Sequence, residues 1–257
     1  MTQYTQRPMR FLEKIFQSIS QQVLPSACIV CERHQLNSIC AQCLQSLRTD
    51  GLLNFECCFQ CGITLKMPEL KEQRCKQCKI NPPYFDKTYC LDRYEGALQN
   101  AIHQLKYQKR LAHAHGLANV WNQLLPKQLE NSNASFLLPV PLSTQKLSSR
   151  GFNQSWEIAR RIHCNPSIQK LPRALKRHHH EIQQAGGGLS ARRLAIRDMF
   201  YLDDNFMPLL QGENVIVFDD VMTSGATLNE IARVLKDNGA SHVTNWVLLR
   251  TARAPHV

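Results

Sequence analysis

The chain has 257 residues, 43% of them hydrophobic, with a formal charge of +11 and eleven cysteines. That length suits one ordinary domain plus a smaller module, and no apolar run approaches the ~20 residues that span a bilayer, so no transmembrane segment is expected. The first eight residues are polar and lack the apolar core of a secretory leader, which points to the cytoplasm.

Met9, Phe11, Leu12, Ile15, Phe16, Ile19 and Val23 recur at helical spacing and predict an amphipathic helix within residues 1–26, packed on the protein itself. Four Cys-x-x-Cys pairs follow: Cys28 with Cys31, Cys40 with Cys43, Cys58 with Cys61, and Cys75 with Cys78. In a reducing compartment such pairs favour metal over disulfides. Two thiolates two residues apart turn onto one ion, and two such knuckles complete a tetrahedral shell, so eight cysteines fit two structural zinc ions. The simplest pairing joins the first four and the second four, while an interleaved pairing satisfies the spacing too. Cys57 abuts Cys58 and is an alternative ligand, and a redox dithiol is the competing use of the motif. Cys90 and Cys164 stand alone and are expected as buried apolar residues. Residues 27–81 thus form a zinc-binding module too small to bury a core of its own.

The stiff stretch Asn81-Pro82-Pro83 marks the start of a larger domain, residues 82–257. A strand is predicted near Thr88, then a helix from Tyr94-Glu95-Gly96 carrying Ala101, Ile102, Leu105 and Tyr107. Lys106, Lys109 and Arg110 cluster at its end, where cations suit the helix dipole and suit a phosphate backbone equally well. A second helix over residues 111–125 precedes a strand over 135–142, which closes on Pro139-Val140-Pro141. A loop is expected next, carrying Lys146 and Arg150-Gly151-Phe152-Asn153-Gln154, with a helix over 155–163 beyond it. The fork of Arg150 and the backbone at Gly151 are a candidate pyrophosphate clamp, the alternative being a helix-capping turn with an exposed arginine. His178-His179-His180, Gly186-Gly187-Gly188, Arg192, Arg193 and Arg197 predict an irregular basic loop able to close over a bound anion.

The densest chemistry lies further on, where Val215-Ile216-Val217-Phe218 reads as a strand buried on both faces. Asp219 and Asp220 at its carboxyl end can accept hydrogen bonds from vicinal hydroxyls or approach a hydrated metal ion. Thr223-Ser224-Gly225-Ala226-Thr227 then offers hydroxyls, an approachable backbone and a helix start, an anion site suited to a phosphate monoester. Acids for a diol beside a cradle for a phosphate describe a site for ribose 5-phosphate. Asn238-Gly239-Ala240 stops the helix, and a last strand covers 242–249. Strands alternating with helices argue for a parallel α/β sheet.

Charge is uneven along the chain. Between His103 and Arg197 stand fifteen Lys and Arg against three acids, which adds a nucleic-acid backbone to the expected partners.

In this order the pieces resemble the competence protein F (ComF) family, amidophosphoribosyltransferase-like proteins with an amino-terminal cysteine-rich zinc module. The likeness rests on the Cys-x-x-Cys pairs, Tyr94-Glu95-Gly96 with Leu105-Lys106-Tyr107, Pro139-Val140-Pro141-Leu142, residues 150–154, Gly188-Leu189-Ser190 and the stretch from Asp219 to Thr227. One stretch departs from the family's pattern: Gln184 is followed by Ala185 and three glycines, and the basic run lacks an Asn. The resemblance implies a type I phosphoribosyltransferase-like parallel sheet flanked by helices. It implies that Asp219 and Asp220 contact the ribose hydroxyls of 5-phosphoribosyl 1-pyrophosphate (PRPP) and its magnesium environment. Thr223, Ser224, Gly225, Ala226 and Thr227 then take the 5-phosphate, and Arg150 with Gly151 the pyrophosphate. It also implies a cytoplasmic role in DNA uptake for natural transformation, peripheral to the inner membrane, on incoming single-stranded DNA and beside competence and recombination proteins. Lys106, Lys109, Arg110, Lys146, Arg192 and Arg193 are the candidate nucleic-acid contacts. An active transferase and a PRPP sensor without turnover are the competing readings.

Overall fold

The computed structural model describes residues 26–125, 133–178 and 197–252. The expected amino-terminal helix, the glycine triplet, Arg192 and Arg193 lie outside the described residues. The cysteine-rich segment is built from short pieces: β1 (Ser26–Ala27) and β2 (His34–Gln35) in an antiparallel pair, then α1 (Ala41–Asp50), α2 (Met67–Leu70) and α3 (Lys76–Ile80). Next come β3 (Lys87–Arg93), α4 (Gly96–Tyr107), α5 (Ala112–Leu124), β4 (Phe136–Pro139), α6 (Thr144–Arg150), α7 (Gln154–Ala159) and β5 (Gln169–Lys170). An antiparallel ribbon of β6 (Leu175–Arg177) and β7 (Phe200–Leu202) flanks the glycine-rich stretch, and β8 (Asn214–Met222), α8 (Ala226–Asp237) and β9 (His242–Arg250) complete the chain.

The main sheet runs β3-β9-β8-β4-β5 with every pairing parallel. β8 is central, so its apolar run serves two cores by simple alternation. Val215 and Val217 join Leu228, Ile231 and Leu235 of α8 on one face. Ile216 and Phe218 meet Leu98, Ile102 and Leu105 of α4 and Trp121 of α5 on the other. Trp121 touches the edge of Phe218 at 5.8 Å between ring centroids, and burying such a side chain contributes about 1.5–3 kcal/mol.

The cysteine-rich segment straddles these faces. Cys28, Ile29 and Ile39 belong to the α4/α5 core, whereas Cys58, Cys61, Cys75 and Cys78 belong to the α8 core. Cys90 is buried as expected, while Cys164 is only half-buried.

One expectation needs correction. The loop predicted over 143–154 contains the helix α6, because Ser143 caps its start by accepting from the Lys146 amide at 3.3 Å. Gly151, at φ +85, closes its end with the amide donating to Leu147 at 2.7 Å. Asn153 immediately caps α7, accepting from the amides of Ser155 and Trp156, so α7 starts at Gln154 and ends before the predicted limit. A serine before the seven-residue run and a glycine after it were the signal for this helix.

Candidate functional site

The crossover from β8 leads to β9 on one side, and that from β4 leads to β5 on the other. The carboxyl ends of β4 and β8 therefore flank the point where the winding reverses, which is where open parallel sheets bind ligands. Asp219 and Asp220 emerge there, beside Pro139 and Val140. Asp220 continues the series of Ile216 and Phe218 and so leaves the strand on the α4 side, where it is almost fully buried.

Two helices supply its partners. Lys106 in the last turn of α4 forms an ion pair with Asp220 Oδ2, and Gln154 at the start of α7 donates to Oδ1 at 3.1 Å. Arg150 in turn donates to Gln154 Oε1, and its guanidinium lies 5.8 Å over the ring of Tyr107. Ser155 donates to Asp219 Oδ1 at 3.1 Å, and the Asp220 amide donates to the same oxygen at 2.9 Å. Burial and the neighbouring Asp220 charge push Asp219 up to about 7, against the pull of Lys106. Burial opposes the Lys106 ammonium, but the Asp220 carboxylate prevails and holds it above the ordinary lysine value. One cation thus serves two adjoining acids, and Asp219, which has no ion pair of its own among the described residues, is held toward its neutral form.

The loop beyond the acids, expected to take an anion, runs directly into a helix start. Gly225, at φ +80, precedes α8 with no side chain among the described residues capping the helix, and Ser224 Oγ accepts from the Ala226 amide at 3.3 Å. First-turn amides of a helix lack intrahelical partners and point outward. Thr223 and Ser224 are exposed, and Ala226 and Thr227 are half-buried in the first turn. A Cβ on Gly225 would stand 2.6 Å from Met222 Cε, so together with its positive φ the position favours glycine.

The eight cysteines gather as the simplest pairing expected. Cys28, Cys31, Cys40 and Cys43 form one group and Cys58, Cys61, Cys75 and Cys78 another, with all sulfurs of a group within 4.8 Å of one another. Tetrahedral zinc with bonds of about 2.3 Å needs sulfurs about 3.8 Å apart. Cys31 to Cys40 is 3.9 Å and Cys61 to Cys75 is 3.7 Å, so both donor sets are compatible with structural zinc. Burial raises the Cys28 thiol, but amides of Cys31 and Cys40 outweigh it and lower it to about 7. Hydrogen bonds from the Cys61 and Cys78 thiols lower Cys58 as well, while the Cys58 thiolate pushes Cys61 up to about 12. Each group therefore holds a ready thiolate from which metal capture can begin. Cys57 lies outside both groups, bridged instead to Thr64.

No family model matches the chain. It is 31% identical over 223 residues to the DNA utilization protein YhgH of Escherichia coli O157:H7, covering 83% of this chain and 90% of that protein. It is 28% identical over 221 residues to competence protein F of Haemophilus influenzae, covering 83% and 91%. The chain belongs to the competence protein F family. Among solved structures, a hypoxanthine phosphoribosyltransferase from Staphylococcus aureus is similar at 13% identity, over 56% of this chain and 68% of that one, with a TM-score of 0.30. At that score the fold rests on the strand register given above. No helix among the described residues is long and apolar enough to cross a membrane.

In this competence protein F relative, sequence reasoning located the acids, the loop and the metal ligands but missed what joins them. Lys106, expected at a phosphate backbone, is engaged with Asp220, and Arg150 sits on a helix rather than in a loop. Gln154, the last residue of the Arg150 stretch, and Ser155 directly after it were given no role. Lys109, Arg110 and Lys146 are exposed, with Arg110 donating to Gln104 at 2.6 Å. Arg250, the last residue of β9, is buried and unforeseen: it donates to Cys61 O and Met222 O, both at 3.0 Å, and to Thr223 O. It ties the second cysteine group to the start of the loop after β8. Between those two lies a cleft of about 990 Å³, walled by Phe85, Met222, Ser224, Gly225, Lys66 and Lys76.

Proposed function

We propose that this protein handles single-stranded DNA on the cytoplasmic side, in DNA uptake for natural transformation, and that it binds a PRPP-type phosphoribosyl ligand at the crevice between β4 and β8. The observation that carries the ligand reading is the network in which Asp219, Asp220, Lys106, Gln154 and Arg150 meet beside the loop 223–227, whose Thr223 and Ser224 are exposed. In this reading the acids take the ribose hydroxyls, the loop takes the 5-phosphate, and Arg150 with Lys106 takes the pyrophosphate. Magnesium suits such a place, because it uses one or two carboxylates together with substrate phosphates. It supplies charge neutralisation for the pyrophosphate, while the chain's own residues orient the sugar. Structural zinc in the cysteine groups holds the amino-terminal segment against the sheet. Lys106, Lys109, Arg110 and Lys146, together with Arg192 and Arg193 outside the described residues, are the candidate DNA contacts, and competence and recombination proteins are the expected partners.

Calorimetric titration with PRPP and magnesium tests the ligand site. Wild type should bind, and Asp219→Ala with Asp220→Ala should abolish binding with zinc content unchanged; retained affinity overturns the assignment. Fluorescent oligonucleotides titrated over a salt series test the DNA role, with a steep fall in affinity expected as salt rises.

A transferase reading has one observation in its favour. The cleft beside the anion cradle offers room for an acceptor base or amine next to a bound phosphoribosyl group. Magnesium-dependent release of pyrophosphate with a panel of nucleobases and amines would establish turnover. Binding of PRPP without release would instead support a sensor.

A further inference from the structure

Tyr107 ends α4 and is 66% exposed, an unusual place for a large aromatic ring. His103, one helical turn earlier, tilts against it with ring centroids 4.5 Å apart, and the Arg150 guanidinium lies over it. Lys109 and Arg110 follow it in the chain, and Lys146 lies one turn before Arg150 on α6, so it shares that residue's side of the helix. An exposed ring with one guanidinium over it and two cations within three residues of it in the chain matches a base with its phosphates: the ring stacks a base, and the cations follow the backbone. A purely apolar partner would leave those cations unmatched.

Arg150 and the neighbouring Lys106 are also committed elsewhere. Lys106 directly precedes Tyr107 and grips Asp220, and Arg150 reaches Asp220 through Gln154. An ammonium or guanidinium already neutralised by a pyrophosphate cannot neutralise a DNA phosphate as well. The pyrophosphate would also place several negative charges within the ~8 Å screening length of any strand lying on Tyr107.

We propose that single-stranded DNA stacks on Tyr107, and that this strand and a pyrophosphate-bearing ligand at Asp219 and Asp220 exclude one another because both draw on Lys106 and Arg150. This rests on the functional reading above. By linkage, DNA lowers the affinity for PRPP by the factor by which PRPP lowers the affinity for DNA. Ribose 5-phosphate fills the loop and the acids without the pyrophosphate, so it spares the strand.

The test is fluorescence anisotropy of a labelled oligothymidylate on the full chain with zinc bound. PRPP with magnesium should raise the apparent Kd by about tenfold or more, the loss of one to two charge-assisted contacts, whereas ribose 5-phosphate with magnesium should change it by less than about twofold. Tyr107→Ala should weaken binding by about tenfold, the worth of one stacked base, with the salt slope unchanged. Lys106→Gln should instead reduce the slope by about 0.7, one phosphate fewer. DNA affinity insensitive to PRPP, in protein that calorimetry shows to be PRPP-saturated, overturns the proposal while leaving the DNA role intact. Equal effects of PRPP and ribose 5-phosphate also overturn it. Absence of DNA binding at low salt removes the functional reading itself.

Discussion

The first cysteine group lies against α4 and α5, with Cys31 exposed and Cys40 and Cys43 half-buried, whereas all four cysteines of the second are buried on the α8 face of the sheet. The ligand sets are identical, and the connections are not. A buried guanidinium joins the second group to the loop after β8, and Gln60 within its first knuckle accepts from Arg74 at 2.8 Å and donates to Phe85 O at 3.3 Å. The first group is held by the Ile29 amide on Ser38 O, by Asn119 on Ser38 Oγ at 3.1 Å, and by Ile29 against Gly116. A metal knuckle stabilises whatever depends on it, so the same four cysteines are expected to act as a keystone in one place and as a clip in the other.

Breaking one ligand in each group gives the largest contrast. Cys75→Ser should cost at least ~4 kcal/mol and lower Tm by roughly 8–16 °C, because it exposes a site continuous with the α8 core. It should also weaken PRPP binding, since Arg250 then loses its fixed partner. Cys31→Ser should shift Tm by less than half as much and leave the ligand site intact. Thermal unfolding with zinc release followed by a chromophoric chelator reads both variants. Equal losses would show that burial and wiring do not distinguish the groups.

The wiring itself comes next. Arg250→Met removes the donors to Cys61 O, Met222 O and Thr223 O, and leaving such buried carbonyls without partners costs about 3 kcal/mol. Gly62→Ala should cost a similar amount. Its φ is +70 and its Cβ would stand 2.5 Å from Cys90 Sγ, so strain and overpacking add. Asn119→Ala, the nearest counterpart in the first group, should cost no more than about 1 kcal/mol. Chemical denaturation of the zinc-loaded proteins ranks the three, and a larger loss for Asn119→Ala than for Arg250→Met would reverse the comparison.

Much of this was legible in the sequence because it is local. Cysteine spacing, the β-branched run at 215–218 and the small hydroxyl loop after it carry their chemistry within a dozen residues. The alternation of strands and helices announced the parallel sheet. What escaped reading is tertiary. Nothing about Lys106 indicates that it will reach an acid more than a hundred residues away, since a lysine at a helix end satisfies the dipole without further explanation. Arg250 ends an apolar strand and looks like a solvent cation, yet three carbonyls from two distant segments enclose it. The opposite faces taken by the two cysteine groups also depend on the path of the chain around the sheet, which spacing does not encode.

The acid pair extends the comparison from anchoring to strain. Asp219 has its pKa raised from 3.8 to about 7, so the fold prefers its neutral form. The unfolded chain loses that proton as pH rises past 3.8, and stability therefore falls between that point and about pH 7 and stays reduced above it. Asp219→Asn should thus stabilise the protein by on the order of 2 kcal/mol at alkaline pH, a discount from the full shift because the residue is partly exposed and titrates with Asp220. The gain should vanish below the unfolded value, while PRPP binding falls at every pH. A pH series of denaturation midpoints checks the sign. A pH-independent gain would mean that packing, and not the buried charge, is what the substitution relieves.

Gly116→Ala carries the smallest expected effect and probes the first group most closely. Gly116 is buried within α5, and an added Cβ would stand 2.5 Å from Ile29 Cγ2 and 3.0 Å from its Cδ1. These are ends of a flexible side chain between Cys28 and Cys31, so a rotamer change can relieve the clash at a modest cost. Alanine also gains about 1 kcal/mol of helix propensity over glycine. The two terms nearly cancel if the first group can shift, and the variant should then lie within about 1 kcal/mol of wild type with both zinc ions retained. A loss above about 2 kcal/mol, accompanied by release of one zinc, would show that Ile29 is held as rigidly as Gly62 and Cys90 hold the other side. The first group would then be a second keystone, and its exposed Cys31 would owe its exposure to position on the surface and not to a looser attachment.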